Sequence, residues 1–162
     1  MATKGQMTGM LGVYLVAAEL SKLGFIVSPT SRSAAGADLL VTDQDCQNVW
    51  SVQVKTNRTS KDYWLLSSSV KRTQSQTHVY VFVSIRGNLR PEYLVVPSSH
   101  VASRSLFEKS STGSEWFTFS RSGRLFASEG WELFGNPSPS VPRNENSALV
   151  EDPHDEEIER AG

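Results

Sequence analysis

Two apolar runs separated by a turn constrain this chain more than any other feature. Ala37-Asp38-Leu39-Leu40-Val41 and Trp50-Ser51-Val52-Gln53-Val54-Lys55 have strand composition, and Asp43-Gln44-Asp45-Cys46-Gln47-Asn48 between them is turn chemistry. The spacing predicts a β-hairpin. A turn centred between Asp45 and Cys46 sets Asp38 opposite Gln53. Residues two apart on a strand share a face, which adds Lys55 to the same side. One hairpin therefore gathers a carboxylate, a side-chain amide and an ammonium.

That group has chemistry open to it. Asp38 offers hard oxygen ligands, and the Gln53 amide oxygen and the Val54 backbone carbonyl add neutral ones, a set that suits a magnesium ion keeping several of its waters. Lys55 then orients an attacking water or holds a phosphate oxygen. These are the parts that metal-assisted hydrolysis of a phosphodiester needs. The same side chains also describe the solvated face of an ordinary hairpin, and spacing alone favours that plainer reading.

A series of short motifs tips the balance. Gly9-Met10-Leu11-Gly12 leads into Val16-Ala17-Ala18-Glu19-Leu20, followed by Leu23-Gly24-Phe25, Ala37-Asp38 and Val52-Gln53-Val54-Lys55-Thr56. Val79-Tyr80-Val81-Phe82-Val83 and Tyr93-Leu94-Val95-Val96-Pro97-Ser98 come later. In this order the motifs resemble those of the PD-(D/E)XK nuclease superfamily, in particular its small prokaryotic members, over about residues 5 to 134. The residue before Asp38 is Ala37 where the family name has Pro, and Gln53 stands where it has an acid, a Gln-X-Lys variant of the motif. The resemblance implies a restriction-endonuclease-like fold and hydrolysis of phosphodiester bonds in DNA with magnesium, or manganese in its place. It implies Asp38, Gln53, Lys55 and Glu19 as catalytic residues, with Asp38, Gln53 and Val54 holding the metal. Gln53 removes one formal charge, so a fold retained for binding nucleic acid or protein, with weakened catalysis, is the alternative. Homodimers are common in the superfamily, though no interface is readable here.

Length and charge bound the rest. A chain of 162 residues buries one substantial core, so residues 1–135 are expected to form one domain. Residues 136–162, with Pro137, Pro139, Pro142 and an acidic run, lack a packing pattern and are expected to be a disordered tail. No apolar run is long enough for a membrane span and the start lacks a signal peptide, so a cytoplasmic protein is expected. The single cysteine, Cys46, excludes an internal disulfide and a zinc ribbon. His78, His100 and His154 lack ligand spacing and read as ordinary surface or strand-end residues.

The formal net charge of −1 hides an asymmetry. Residues 1–135 carry 14 Lys and Arg against 10 Asp and Glu, and residues 136–162 carry 2 against 7. Within the basic body, Arg58, Lys61, Lys71 and Arg72 follow Lys55 with only Asp62 opposing them, a stretch suited to a phosphate backbone. Arg32, in the polar loop just before Asp38, is a further phosphate contact in the nuclease reading. The acidic tail has no identifiable partner.

The remaining pattern predicts an α/β sandwich. Met10, Leu11, Tyr14, Ala17, Ala18 and Leu20 give helical spacing over 7–23, with Glu19 beside the apolar face and Gly9 and Gly12 open to close packing against a strand. Residues 25–27 read as a short buried strand, 78–85 as a central strand and 92–96 as the next. A helix capped by Ser98 or Ser99 is expected from His100 to Lys109, an edge strand at 116–119 and a closing helix at 130–134. Trp64 reads as core. The expected architecture is a three-layer sandwich, a mixed sheet of about five strands flanked by helices.

Overall fold

The computed structural model describes residues 1–31, 36–121 and 129–135. Thr3 opens the first helix, α1 (Lys4–Lys22): its hydroxyl accepts from the Gln6 N–H at 3.2 Å, and the Gln6 side chain accepts from the Thr3 N–H at 2.9 Å. Reciprocal caps of this kind stabilise a helix start by about 1 kcal/mol, which carries α1 ahead of the expected start at position 7. Val13, Val16 and Leu20 recur at three- and four-residue spacing and are buried against the sheet. Full burial of such a side chain contributes about 1.5–3 kcal/mol.

The central sheet has the order β1 (Ile26–Pro29), β2 (Leu39–Thr42), β3 (Val49–Asn57), β5 (His78–Ser84) and β6 (Glu92–Pro97). Only the β3–β5 pair is parallel, so the sheet is mixed. β5 is buried along its whole length, as a central strand covered on both faces must be. Along β3 and β5 the side chains alternate. Val52, Val54, Val79, Val81 and Val83 share one core with the buried side of α1, while Tyr80 and Phe82 enter a second core on the opposite face.

The five-stranded mixed sheet is flanked by helices as expected, and the second face carries more than its helix. It is covered by a three-stranded antiparallel sheet, β4 (Tyr63–Leu66), β8 (Glu115–Ser120) and β7 (Leu106–Lys109), together with α2 (Ser98–Arg104) and a 3-10 turn at Ser68–Lys71. β8 is the middle strand of this sheet and not an edge. The helix expected to reach Lys109 stops at Arg104, because Ser105 turns extended and Leu106–Lys109 pairs with β8. Pro97 occupies its cap position, so neither Ser98 nor Ser99 caps it. β1 is an edge strand with Ile26 exposed, and the buried residue there is Phe25. Trp64 is core as expected, its indole N–H donating to the Val83 carbonyl.

The closing helix is a single 3-10 turn, Trp131–Phe134, that buries Phe134 in the α1-side core. Gly130 allows it: its φ is 88°, and a Cβ there would lie 2.5 Å from the Val95 carbonyl oxygen. The tail expected to be disordered, 136–162, lies outside the described residues. No helix among the described residues is long and apolar enough to cross a membrane.

Candidate active site and adjoining cationic cleft

The β2–β3 hairpin has the register that the sequence predicts. Leu39 pairs with Val52 and Thr42 with Val49, which extends to Asp38 opposite Gln53. The turn is pinned by Asp43, whose carboxylate accepts from the Asn48 side-chain amide at 2.6 Å and from the Gln47 N–H at 2.8 Å. The Asn48 hydrogen bond, more than any other cause, holds the Asp43 carboxyl below its ordinary pKa. Cys46, at φ 54°, closes the turn.

Asp38 sits immediately before Leu39, the first paired residue of β2. Its Oδ2 accepts from the Gln53 side-chain amide and from the Val54 N–H at 2.8 Å, while its own N–H donates to the Val52 carbonyl at 2.8 Å. The carboxylate is thereby oriented against the rim of β3. In a strand the N–H and C=O of one residue point to the same edge, so the Val54 carbonyl also lies on the Asp38 side, beyond the end of the β2 ladder. Asp38, Gln53 and Lys55 are all half-buried.

Because Val52 and Val54 face α1, Gln53 and Lys55 project from the other face of the sheet. Glu19 stands on a different element. It belongs to the helix on the Val52 and Val54 face, and its carboxylate holds Lys22 Nζ at 2.9 Å. Its field reaches Tyr93 on β6, where burial first, then Glu19 and Glu129, raise the phenol pKa. Among the described residues Glu19 makes no hydrogen bond to Asp38, Gln53 or Lys55, and no three Asp, Glu, His or Cys side chains gather into a metal-binding group.

Lys55 opens into a cleft of about 530 Å³ at the far end of β3. The charged side chains that line it are Lys4, Lys55, Arg58 and Lys61. Asp62, the one acid in this stretch, is paired with Arg86. Lys61 Nζ donates to the Tyr63 hydroxyl at 3.0 Å, a bond that raises the Lys61 pKa and keeps the ammonium charged.

The other expected phosphate contacts lie elsewhere. Lys71 Nζ donates to the Ala102 and Ser105 carbonyls and sits 5.0 Å from the centre of the Phe117 ring, so it ties the 3-10 turn to the layer outside the sheet. Arg72 is exposed just after that turn and does not line the cleft. Arg32 lies outside the described residues.

Lys4 is the cleft residue that sequence reasoning missed. It lines the same cleft as Lys55 because α1 presses on β3 at Gly12, where a Cβ would fall 1.8 Å from Thr56 Oγ1. Gly12 signals close packing in the sequence, but not the direction in which the helix crosses the strand. His78, read as a surface or strand-end residue, begins β5 but is only 3% exposed; its Nδ1 lies 2.8 Å from Ser51 Oγ, and desolvation lowers its pKa.

No family model matches the sequence, and no curated protein matches it. The solved structures similar to the chain include two nucleases. One is Hjc, a Holliday junction resolvase from the archaeal hyperthermophile Archaeoglobus fulgidus, 13% identical over 70% of this chain and 84% of that one, with a TM-score of 0.43. The other is a bacterial homing endonuclease, 12% identical over 77% of this chain and 80% of that one, with a TM-score of 0.46. Roles for individual residues have to come from the geometry of this chain.

Proposed function

We propose that this protein is a metal-dependent endonuclease that hydrolyses phosphodiester bonds in DNA. One observation carries the reading: a half-buried carboxylate oriented by Gln53 and the Val54 N–H, with Lys55 on the same face opening into a cleft whose charged lining is wholly cationic. The donor set fits a hard divalent ion. Asp38 supplies one charged oxygen, and Gln53 and the Val54 carbonyl supply neutral oxygens once the Gln53 amide turns its oxygen toward the site. When bound, magnesium or manganese would lower the pKa of a coordinated water and draw charge from the phosphoryl oxygens.

The chain supplies the rest. Asp38 is held in place before any ligand arrives, Lys55 stabilises the charge that builds on the phosphoryl oxygens, and Arg58, Lys61 and Lys4 hold the neighbouring backbone. Water attacks phosphorus and one ester oxygen departs with the proton, so no covalent enzyme intermediate is required.

A specific observation favours a second reading. Asp38 is the one acidic side chain of the group among the described residues, with Glu19 bonded to Lys22 instead. A fold of this kind that binds DNA without cutting it has the same cleft and needs no second acid.

One experiment separates the two: incubation of supercoiled, linear, single-stranded and branched DNA with magnesium or manganese, comparing wild type with Lys55→Ala and Asp38→Ala. The nuclease reading expects metal-dependent cleavage that falls by about a hundredfold or more in either variant. Salt-sensitive binding that survives both changes, with no cleavage of any substrate, would establish the binding module in its place.

A further inference from the structure

The cleft has a lining of two unlike kinds. Its lining includes the cations Lys4, Lys55, Arg58 and Lys61 and, from β4, Tyr63 and Leu65. Alternation along β4 sends Trp64 and Leu66 into the core and leaves Tyr63 and Leu65 pointing out, 36% and 59% exposed. Neither is needed by the packing below it. An aromatic ring and a leucine thus stand exposed beside a cluster of positive charge.

We infer that this cleft receives an unpaired nucleotide, so that the substrate of the proposed nuclease is DNA containing a single-stranded segment. Three observations converge. The volume of about 530 Å³ is of the size that takes one small ligand. Paired with Arg86, Asp62 leaves the cations unopposed, so phosphate is the favoured guest beside them. The exposed Tyr63 and Leu65 suit the face of a base, which a duplex keeps hidden in its stack and a single strand offers freely. Tyr63 is further fixed by the Lys61 ammonium, 3.0 Å from its hydroxyl and 5.3 Å from its ring centre. A blunt duplex would engage the cations and leave Tyr63 and Leu65 against water.

The inference deepens the nuclease reading and rests on it for the position of the reacting phosphate beside Lys55, but its test needs no cleavage. Fluorescence anisotropy of the full-length wild-type chain in chelator compares one labelled DNA sequence as a single strand, as a blunt duplex, and as a duplex with an unpaired arm. The single strand and the armed duplex are expected to bind about tenfold more tightly than the blunt duplex, the scale of one base stacked on an aromatic side chain. Tyr63→Ala with Leu65→Ser, both exposed positions, should remove that preference and leave duplex binding as in wild type. Lys4→Ala should weaken binding of all three.

Equal or tighter binding of the blunt duplex would overturn the inference. So would a preference for unpaired DNA that survives in the doubly substituted protein with a native circular dichroism spectrum. Absence of cleavage in magnesium would remove the nuclease reading alone, because these affinities are measured without metal.

Discussion

At the residue scale, the site turns on the amide at position 53. Gln53 donates to Asp38 as a carboxylate neighbour cannot, so the hairpin holds its acid in place without a metal. A Gln53→Glu substitution reverses that arrangement. Two carboxylates at hydrogen-bonding distance share no donor and repel, which pushes one pKa up and, with the lost hydrogen bond, costs about 1–3 kcal/mol. The same change adds a charged oxygen for a cation. Thermal melts of Gln53→Glu are therefore expected to fall below wild type in chelator and to recover in millimolar magnesium by more than wild type gains. A deficit that magnesium leaves unchanged would argue against Asp38 and residue 53 as the metal pair.

At the element scale, the contact of α1 with β3 places the helix start beside Lys55, and two glycines on that helix should respond in opposite ways. At Gly12 a methyl group meets Thr56 Oγ1 at 1.8 Å, so Gly12→Ala must push the helix from the strand or turn Thr56 aside. Overpacking of this kind costs about 1–3 kcal/mol, more than the helix propensity that alanine returns. At Gly9 nothing lies within 4 Å of the new methyl, and Gly9→Ala is expected to stabilise by about 0.5–1 kcal/mol. Urea denaturation of the two variants reads both signs. Gly12→Ala should also weaken DNA binding, since Lys4 moves with the helix.

The same element shows what the sequence could and could not say. Apolar residues from Met10 to Leu20 revealed α1, though Leu11 and Tyr14 are exposed and Val13, Val16 and Leu20 form its buried face, and the position sum across the turn at Asp45 and Cys46 revealed the hairpin register, because both elements are local. Pairing of β7 with β8, and of β8 with β4, is decided between residues far apart, so Leu106–Lys109 read as the end of a helix. Asp38, Gln53 and Lys55 were legible for the local reason. Lys4 was not, since its place in the cleft depends on how α1 crosses the sheet; the i,i+3 pair of Glu19 with Lys22 is local to the helix.

At the scale of the whole molecule, one sheet divides two cores and β5 belongs to both, so a titratable group at the start of that strand bears on the stability of the entire fold. His78 is that group. It is buried, its Nε2 has no hydrogen-bond partner among the described residues, and desolvation holds its pKa below the ordinary 6.5. The native state thus resists a proton that the unfolded chain accepts. By linkage, the stability that neutral His78 contributes is fully present above pH 6.5 and declines as the pH falls below it, until the native imidazole also titrates. The slope from one such group cannot exceed about 1.4 kcal/mol per pH unit. Urea midpoints measured from pH 7.5 to 5.5, above the range where most carboxylates titrate, should fall in wild type. They should fall less in His78→Gln, which keeps a polar partner for Ser51 and has no proton to gain. Parallel curves for the two proteins would place the pH sensitivity outside β5.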